Sequence, residues 1–277
     1  FKSTPNMFSI DWCAPIKSVD PISISKKICA RIYHGIPTSE LDAMSAELCA
    51  AMAINNPDYG KLASRIVVSN NQKVTPDNLS DVIKLSEENT DANGNKSPLY
   101  HQDVAAFITK WADILDDMIC YDRDYDIDFF GFKTLSRSYL LKSKGSIIER
   151  PQHLWIRVAE FLHAPYSQKI YIDADGQESG DQDSGDQDSG DQNTQELDML
   201  QPYFDKIKET YDALSCKEFI HATPTLFHAG TPRPQCSSCF LMGTEDSVEG
   251  IYKTISDAAM ISKWAGGIGL HLSLIHI

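Results

Sequence analysis

His221-Ala222-Thr223-Pro224-Thr225-Leu226-Phe227-His228-Ala229-Gly230-Thr231-Pro232-Arg233-Pro234-Gln235-Cys236-Ser237-Ser238-Cys239-Phe240-Leu241 is the stretch on which the fold of this 277-residue chain turns. Small hydroxyl residues, Gly and Pro fill its first two-thirds; Cys-Ser-Ser-Cys then leads into apolar Phe-Leu. That is a turn-rich loop feeding a strand. Backbone N–H groups and hydroxyls beside Gly suit phosphate oxygens, and a thiol at the head of a buried strand suits protected redox chemistry. Taken alone, a Thr/Ser/Gly-rich turn is an ordinary turn.

The next segment sharpens the reading. Asp246 and Glu249 stand at capping-box spacing, which predicts Asp246 as the N-cap of an amphipathic helix through Ile251, Ile255, Ala258 and Ala259. Lys263 falls in its last turn, where a cation suits the helix dipole. Gly266-Gly267-Ile268-Gly269 closes the helix and permits close backbone approach. The glycines do not follow a strand in the order that a dinucleotide fingerprint needs.

Upstream, helices dominate. Residues 24–34 carry a short helical pattern ending at Gly35. Pro37-Thr38-Ser39 opens a second helix, with Ser39 and Asp42 at capping-box spacing and a stripe of Leu41, Met44, Leu48 and Met52. Pro57 ends it, and Tyr59, Leu62 and Ile66 begin another. Residues 88–98 are polar and Asn/Gly-rich, a loop. Val104, Phe107, Ile108, Trp111, Ile114, Leu115 and Met118 predict one amphipathic helix. Pro151 sits at the first turn of a helix running through Leu154, Val158, Phe161 and Leu162. Residues 197–220 form a further helix, with Leu200, Phe204, Ile207, Tyr211 and Leu214 inward.

Before that last helix come three pentads, Ser179-Gly180-Asp181-Gln182-Asp183, Ser184-Gly185-Asp186-Gln187-Asp188 and Ser189-Gly190-Asp191-Gln192-Asn193. They offer nothing to bury, so residues 173–198 are expected to be a disordered insertion. Alternating Asp residues suggest calcium, but no register supplies the Gly and Glu positions of an EF-hand. Ten carboxylates and no Lys or Arg lie between Asp173 and Asp198; setting them aside leaves about −4 of the formal charge of −14. The overall acidity argues against a nucleic-acid-coating surface, though it says little about the folded part.

No apolar run approaches the roughly 18–20 residues of a membrane span. Seven unevenly spaced cysteines read as a reduced, cytoplasmic setting and not a secreted disulfide scaffold. The chain begins with Phe1, and no signal-peptide pattern follows. Leu272-Ser273-Leu274-Ile275-His276-Ile277 is what the codons of a common sequencing-adaptor oligonucleotide encode, so 272–277 is expected to be a non-native tail; the alternative is an apolar strand.

Taken together, these segments resemble the large (alpha) subunit of class I ribonucleotide reductase. The resemblance rests on Ala222 to Phe227, Ser237 to Leu241, Asp246-Ser247-Val248-Glu249-Gly250-Ile251-Tyr252, Ile261-Ser262-Lys263 and Ala265 to Gly269. Upstream, Thr38 to Asp42, Tyr121-Asp122-Arg123-Asp124-Tyr125, Phe130 to Leu135, Arg137 to Leu141 and Glu149-Arg150-Pro151-Gln152-His153 agree in order. It covers nearly the whole chain outside the insertion and tail.

The resemblance implies an α-rich N-terminal region leading into the opening segment of a ten-stranded α/β barrel. Its parts would be a partial ATP cone (1–75), a helical domain (76–220) and the start of the barrel (221–271). It implies thiyl-radical reduction of ribonucleoside diphosphates to deoxyribonucleotides, with Cys239 as the redox-active cysteine that pairs with a second cysteine later in the family's sequence. Thr223 and Ser238 match substrate-holding positions. Asp246, Ser247, Val248 and Lys263 match part of the allosteric specificity site, and Thr38 and Asp42 match the activity site of the ATP cone. The effectors would be ATP and deoxynucleotides. The implied partners are a radical-generating small subunit, thioredoxin or glutaredoxin, and a second copy of the chain, with no nucleic acid, membrane, metal or resident cofactor.

Two positions depart from the family: His228 stands for its usual Asn, and Cys236 for an apolar residue. The preferred reading of Cys236 is a packed apolar substitute; a Cys236–Cys239 redox pair or half a zinc site are the alternatives. Cys13, Cys29, Cys49, Cys120 and Cys216 read as structural. The family's radical-forming cysteine lies beyond this sequence, so an N-terminal piece inactive by itself, with barrel edges prone to aggregate, is expected. Two further readings are a nucleotide-sensing remnant without chemistry and a small thiol–disulfide protein.

Overall fold

The computed structural model describes residue 16, residues 18–166 and residues 190–272, with the side chains of 190–195 left aside. Two compact units emerge: Phe1–Leu85 with Ala112–His153, and Ser86–Trp111 with Leu154–Ile277. The stretch 173–189 of the acidic insertion, Cys13 and residues 273–277 of the tail lie outside the described residues.

The first unit is built from α1 (Pro21–Cys29), α2 (Thr38–Met52), α3 (Pro57–Val74), most of α4 (Leu79–Glu87), α6 (Ala112–Met118) and α7 (Phe129–Thr134). α1 stops at Cys29, short of the predicted Gly35. α3 starts where Asn56 accepts from the Asp58 N–H at 3.0 Å and Pro57 takes the first turn. Pro37, in extended conformation, is the N-cap of α2 and carries no side-chain cap bond. Ser39 therefore lies inside the helix, and the predicted Ser39–Asp42 box is corrected. Ile24, Cys49, Tyr59 and Ala63 form one buried cluster between α1, α2 and α3. A hairpin of β1 (Lys142–Ser143) and β2 (Ser146–Ile147) turns through Lys144 and Gly145, both at positive φ, the geometry that suits a two-residue hairpin.

A polar network is buried in this unit. Asp124 is fully buried and accepts from the side-chain amides of Gln72 (3.0 Å) and Gln152 (3.1 Å). The Arg150 guanidinium lies 4.6 Å from the Tyr121 ring centroid, while the Arg150 N–H donates to His153 Nδ1 at 3.0 Å. That bond puts the imidazole proton on Nε2, which donates to the Tyr121 hydroxyl at 2.8 Å; Tyr121 in turn donates to the Asp77 carbonyl.

Burial pushes the Asp124 carboxyl up to about 6, and burial with Arg150 nearby pulls His153 down to about 3. The two act on stability with opposite signs. His153 takes no proton in the folded state, so its contribution is lost as pH falls from 6.5 toward 3. Asp124 holds its proton longer in the folded state, so its contribution is lost as pH rises from 3.8 to 6. Between pH 7 and 4 they nearly cancel. Asp124→Asn leaves His153 unopposed, so on moving from pH 7 to pH 4 this variant is expected to lose about 3 kcal/mol more stability than wild type. Urea unfolding at the two pH values measures the difference; identical pH dependence would refute the assignment.

The second unit holds α5 (Gln102–Lys110), α8 (Pro151–His163, from Leu154 onward), α9 (Gly190–Ser215), α10 (Thr223–His228) and a β–α–β segment. The periodicity over 104–118 is delivered by two helices and not one, because Trp111 leaves helical geometry (φ −114°, ψ 23°) between α5 and α6. α9 begins at Gly190, inside the stretch expected to be disordered, and ends at Ser215 instead of 220. Glu196 on its first turns pairs with Lys110 at 2.6 Å. Phe204, Ile207, Tyr211 and Leu214 are buried as the periodicity requires, and Leu200 is half-buried. Phe204 meets Trp111 edge-on at 5.7 Å and Phe107 at 5.9 Å.

The β–α–β segment runs β3 (Cys239–Gly243), α11 (Val248–Lys263), β4 (Gly267–His271). The strands pair in parallel with Cys239 opposite Gly267, Leu241 opposite Gly269 and Gly243 opposite His271. Parallel strands require such a crossover. Among the described residues the sheet has these two strands and is not closed. No helix among them is long and apolar enough to cross a membrane.

Candidate functional site

The residues singled out around Cys239 converge on the mouth of β3. Cys239 is its first residue and is exposed; the Ser238 hydroxyl lies 3.7 Å from its sulfur. Gly267, directly opposite, leaves the thiol room: an added Cβ would sit 3.8 Å from Sγ and 3.1 Å from the Ser238 carbonyl, which accepts the Gly267 N–H at 2.7 Å. The predicted close approach of the glycines is therefore real. At Gly266 a Cβ would fall 2.8 Å from the Phe240 ring, and at Gly269 2.9 Å from Leu241. The left-handed residue that ends α11 is nevertheless Ala265 (φ 62°) and not one of the glycines.

The approach to β3 is fixed from α10, whose first residue is Thr223. The Thr225 hydroxyl donates to the Cys236 carbonyl at 3.2 Å. His228 Nδ1 lies 3.0 Å from the Gln235 carbonyl, so Nδ1 carries the proton. Cys236 is half-buried, and both it and Cys239 are thiols. Among the described residues no group of three or more His, Cys, Asp or Glu is placed to hold a metal ion.

Arg157, in the middle of α8, is fully buried. Its Nη1 donates to the Ala229 carbonyl at 2.6 Å and Nη2 to the Leu226 carbonyl at 3.5 Å, which serves backbone groups at the end of α10 that the helix itself leaves without partners. Gly230 passes this arginine at φ 76°, where a Cβ would lie 3.0 Å from Arg157 Cγ. Sequence reasoning missed Arg157; a cation inside the otherwise apolar Leu154-Trp155-Ile156-Arg157-Val158-Ala159 was the available signal. Glu160, one turn on, is also fully buried. It accepts from the Tyr166 hydroxyl and leaves Oε2 without a partner, and burial raises its pKa well above the usual carboxylate range.

At α11 the cap is corrected. Ser247, not Asp246, is the N-cap: its hydroxyl accepts the Gly250 N–H at 2.9 Å from an extended backbone (φ −146°, ψ 155°). Glycine at 250 follows from the same geometry, since a Cβ there would lie 2.7 Å from Glu245 Cβ. Asp246 borders a cavity of about 250 Å³ lined also by Thr244, Ile251, Thr254, Ile255 and Leu270. Val248 opens the helix, 67% exposed, and Lys263 closes it. Sixteen residues at 1.5 Å each separate these ends by about 24 Å, so one chain does not bring Lys263 to Asp246, Ser247 and Val248.

In the other unit, Thr38 is the first residue of α2, and Asp42 meets Lys73 Nζ at 3.0 Å in a partly exposed ion pair. A half-buried pair of this kind contributes at most about 1 kcal/mol.

Comparison with known proteins gives the family. Residues 125–234 match the family model described as ribonucleotide reductase, all-alpha domain, and residues 237–276 match ribonucleotide reductase, barrel domain. The chain is 44% identical over 271 residues to the ribonucleoside-diphosphate reductase large subunit of Arabidopsis thaliana, covering 97% of this chain and 29% of that protein. It is 41% identical to the large chain of Neurospora crassa (99% and 26%) and 39% identical to large chain 2 of Saccharomyces cerevisiae (99% and 28%). The chain thus spans less than a third of the length of these relatives.

Proposed function

Because the chain belongs to the ribonucleotide reductase large-subunit family, we propose that it contributes the redox thiol, part of the substrate cradle and part of the effector site to a ribonucleoside-diphosphate reductase. The observation that carries this is the exposed Cys239 thiol at the head of β3, beside the Ser238 hydroxyl and across from the side-chain-free Gly267.

The overall change balances as follows. A ribonucleoside diphosphate exchanges its 2′ C–OH for C–H and releases water; two thiols give up two electrons and two protons and become a disulfide. Cys239 is one of those thiols. The second is the later cysteine of the family's sequence; a small subunit supplies the radical that starts the reaction, and thioredoxin or glutaredoxin renews the reducing equivalents. Thr223, at the start of α10, and Ser238 hold the substrate; both hydroxyls can meet phosphate or ribose oxygens.

Asp246, Ser247, Val248 and Lys263 hold an ATP or deoxynucleotide effector. The cavity beside Asp246, about 250 Å³, is small for a nucleotide, and Lys263 lies a helix length away. A second copy of the chain, laid against the face of Ile251, Tyr252 and Ile255, supplies the missing wall. Thr38 and Asp42 belong to a partial ATP cone, and the two parallel strands to a ten-stranded barrel. The working compartment is the cytoplasm.

The test is a single turnover of the complete reductase with no external reductant, followed by thiol alkylation and peptide mapping. Cys239 is expected to resist alkylation after turnover and to react before it. A Cys239 that alkylates fully in both samples would refute the reading.

A further inference from the structure

We propose that Trp264 is a positioning residue that ties the Lys263 end of α11 to the loop presenting Ser238 and Cys239, so that the two move together. The inference deepens the reading above and rests on it.

Trp264 is half-buried and ends α11. Its ring meets three side chains: His228 of α10 edge-on at 6.0 Å, Arg233 at 5.3 Å and Lys263 at 5.2 Å from the ring centroid. Cations over an indole face are held by its quadrupole, so the ring fixes where the Lys263 ammonium sits. Its backbone carbonyl accepts from the Gln235 side-chain amide at 3.4 Å. The same Gln235 side chain accepts the Ser237 N–H at 2.6 Å and donates to the Ser237 carbonyl at 2.9 Å.

The loop 235–238 is therefore gripped from two sides. Thr225 and His228 hold the carbonyls of Cys236 and Gln235 from α10; Trp264 and the Gly267 N–H hold Gln235 and Ser238 from the junction of α11 and β4. The Trp264–His228 ring contact joins the two sides. A displacement of Lys263 on meeting an anionic effector is carried by the indole and Gln235 into the residues immediately before Cys239, through packed and hydrogen-bonded neighbours.

The experiment uses the complete reductase and measures kcat/KM for each of the four ribonucleoside diphosphates, without effector and with each deoxynucleoside triphosphate. Trp264→Leu is expected to keep the effector-free rates within about twofold and the effector Kd within about threefold. The effector-induced change in substrate preference should shrink at least about fivefold. Trp264→Phe, which keeps a ring, should restore most of it, and His228→Ala, which removes both the ring contact and the bond to the Gln235 carbonyl, should weaken it from the other side. A Trp264→Leu enzyme whose preference responds like wild type overturns the proposal; so does a uniform fall in all rates that phenylalanine does not rescue, which marks a merely structural role. Should the leucine variant not fold, an unchanged response in His228→Ala overturns it equally. A wild-type enzyme that reduces no diphosphate, or answers to no effector, instead refutes the functional reading itself.

Discussion

Cys239→Ala in the complete reductase is expected to cut turnover with thioredoxin or glutaredoxin to below about a thousandth of wild type, the scale on which removing a covalently participating group acts. Alanine removes the sulfur and nothing else that the fold uses: Cys239 is exposed, and the strand pairing opposite Gly267 is made by backbone atoms. Stability should therefore stay within about 0.5 kcal/mol of wild type, the range of ordinary surface substitutions. Ribonucleoside diphosphate and effector binding should persist, which separates lost chemistry from a lost fold. Wild-type production of deoxynucleotides by the alanine enzyme would end the redox assignment, and a chain that bound nucleotides but had no turnover even with cysteine present would favour the sensing alternative.

The second large effect is on stability. Arg157→Met should cost roughly 2–5 kcal/mol, about 1–3 kcal/mol for each of the two carbonyls left without its donor. Methionine keeps much of the aliphatic stem but takes the guanidinium donors away from the carbonyls of Leu226 and Ala229. Those carbonyls terminate α10, so the damage spreads toward Thr223 and the loop before Cys239. Arg157→Lys should lie between, because an ammonium keeps the charge but cannot reproduce the planar fork. The midpoint of urea unfolding reads the difference; a change below about 1 kcal/mol would show that the arginine is dispensable.

Much of the helical architecture was legible because the physics that sets it is local. The Phe204-Ile207-Tyr211-Leu214 stripe is buried as its spacing demands, whereas Pro57, read as the end of the second helix, is the first residue of α3 behind an Asn56 cap. Features set by backbone detail were not legible. Periodicity runs unbroken through Trp111, yet the backbone breaks there. Asp246 and Ser247 are both good caps, and the choice is made by Gly250, which has no side chain to collide with Glu245.

Cys239 and Ser238 were singled out through the family resemblance and not by their flanking residues, and the structure sets them beside Gly267, their neighbour in register. What holds them was not legible. Arg157 lies about seventy residues from the carbonyls it serves, and Trp264 gains its meaning from His228, Arg233 and Gln235, which no helical or strand period connects to it.

The β3–α11–β4 crossover also bears on how the chain acquires its shape. Cys239 and Gly267 are 28 positions apart, so their strands can pair only after that span has closed into a loop, an entropic cost that α11, whose bonds reach four residues, does not share. The helix can form early and the sheet late. For that interval the backbone groups of β3 and β4 are unclaimed, and it is the period in which a ribosome-bound or newly released chain is most open to capture by the wrong strand.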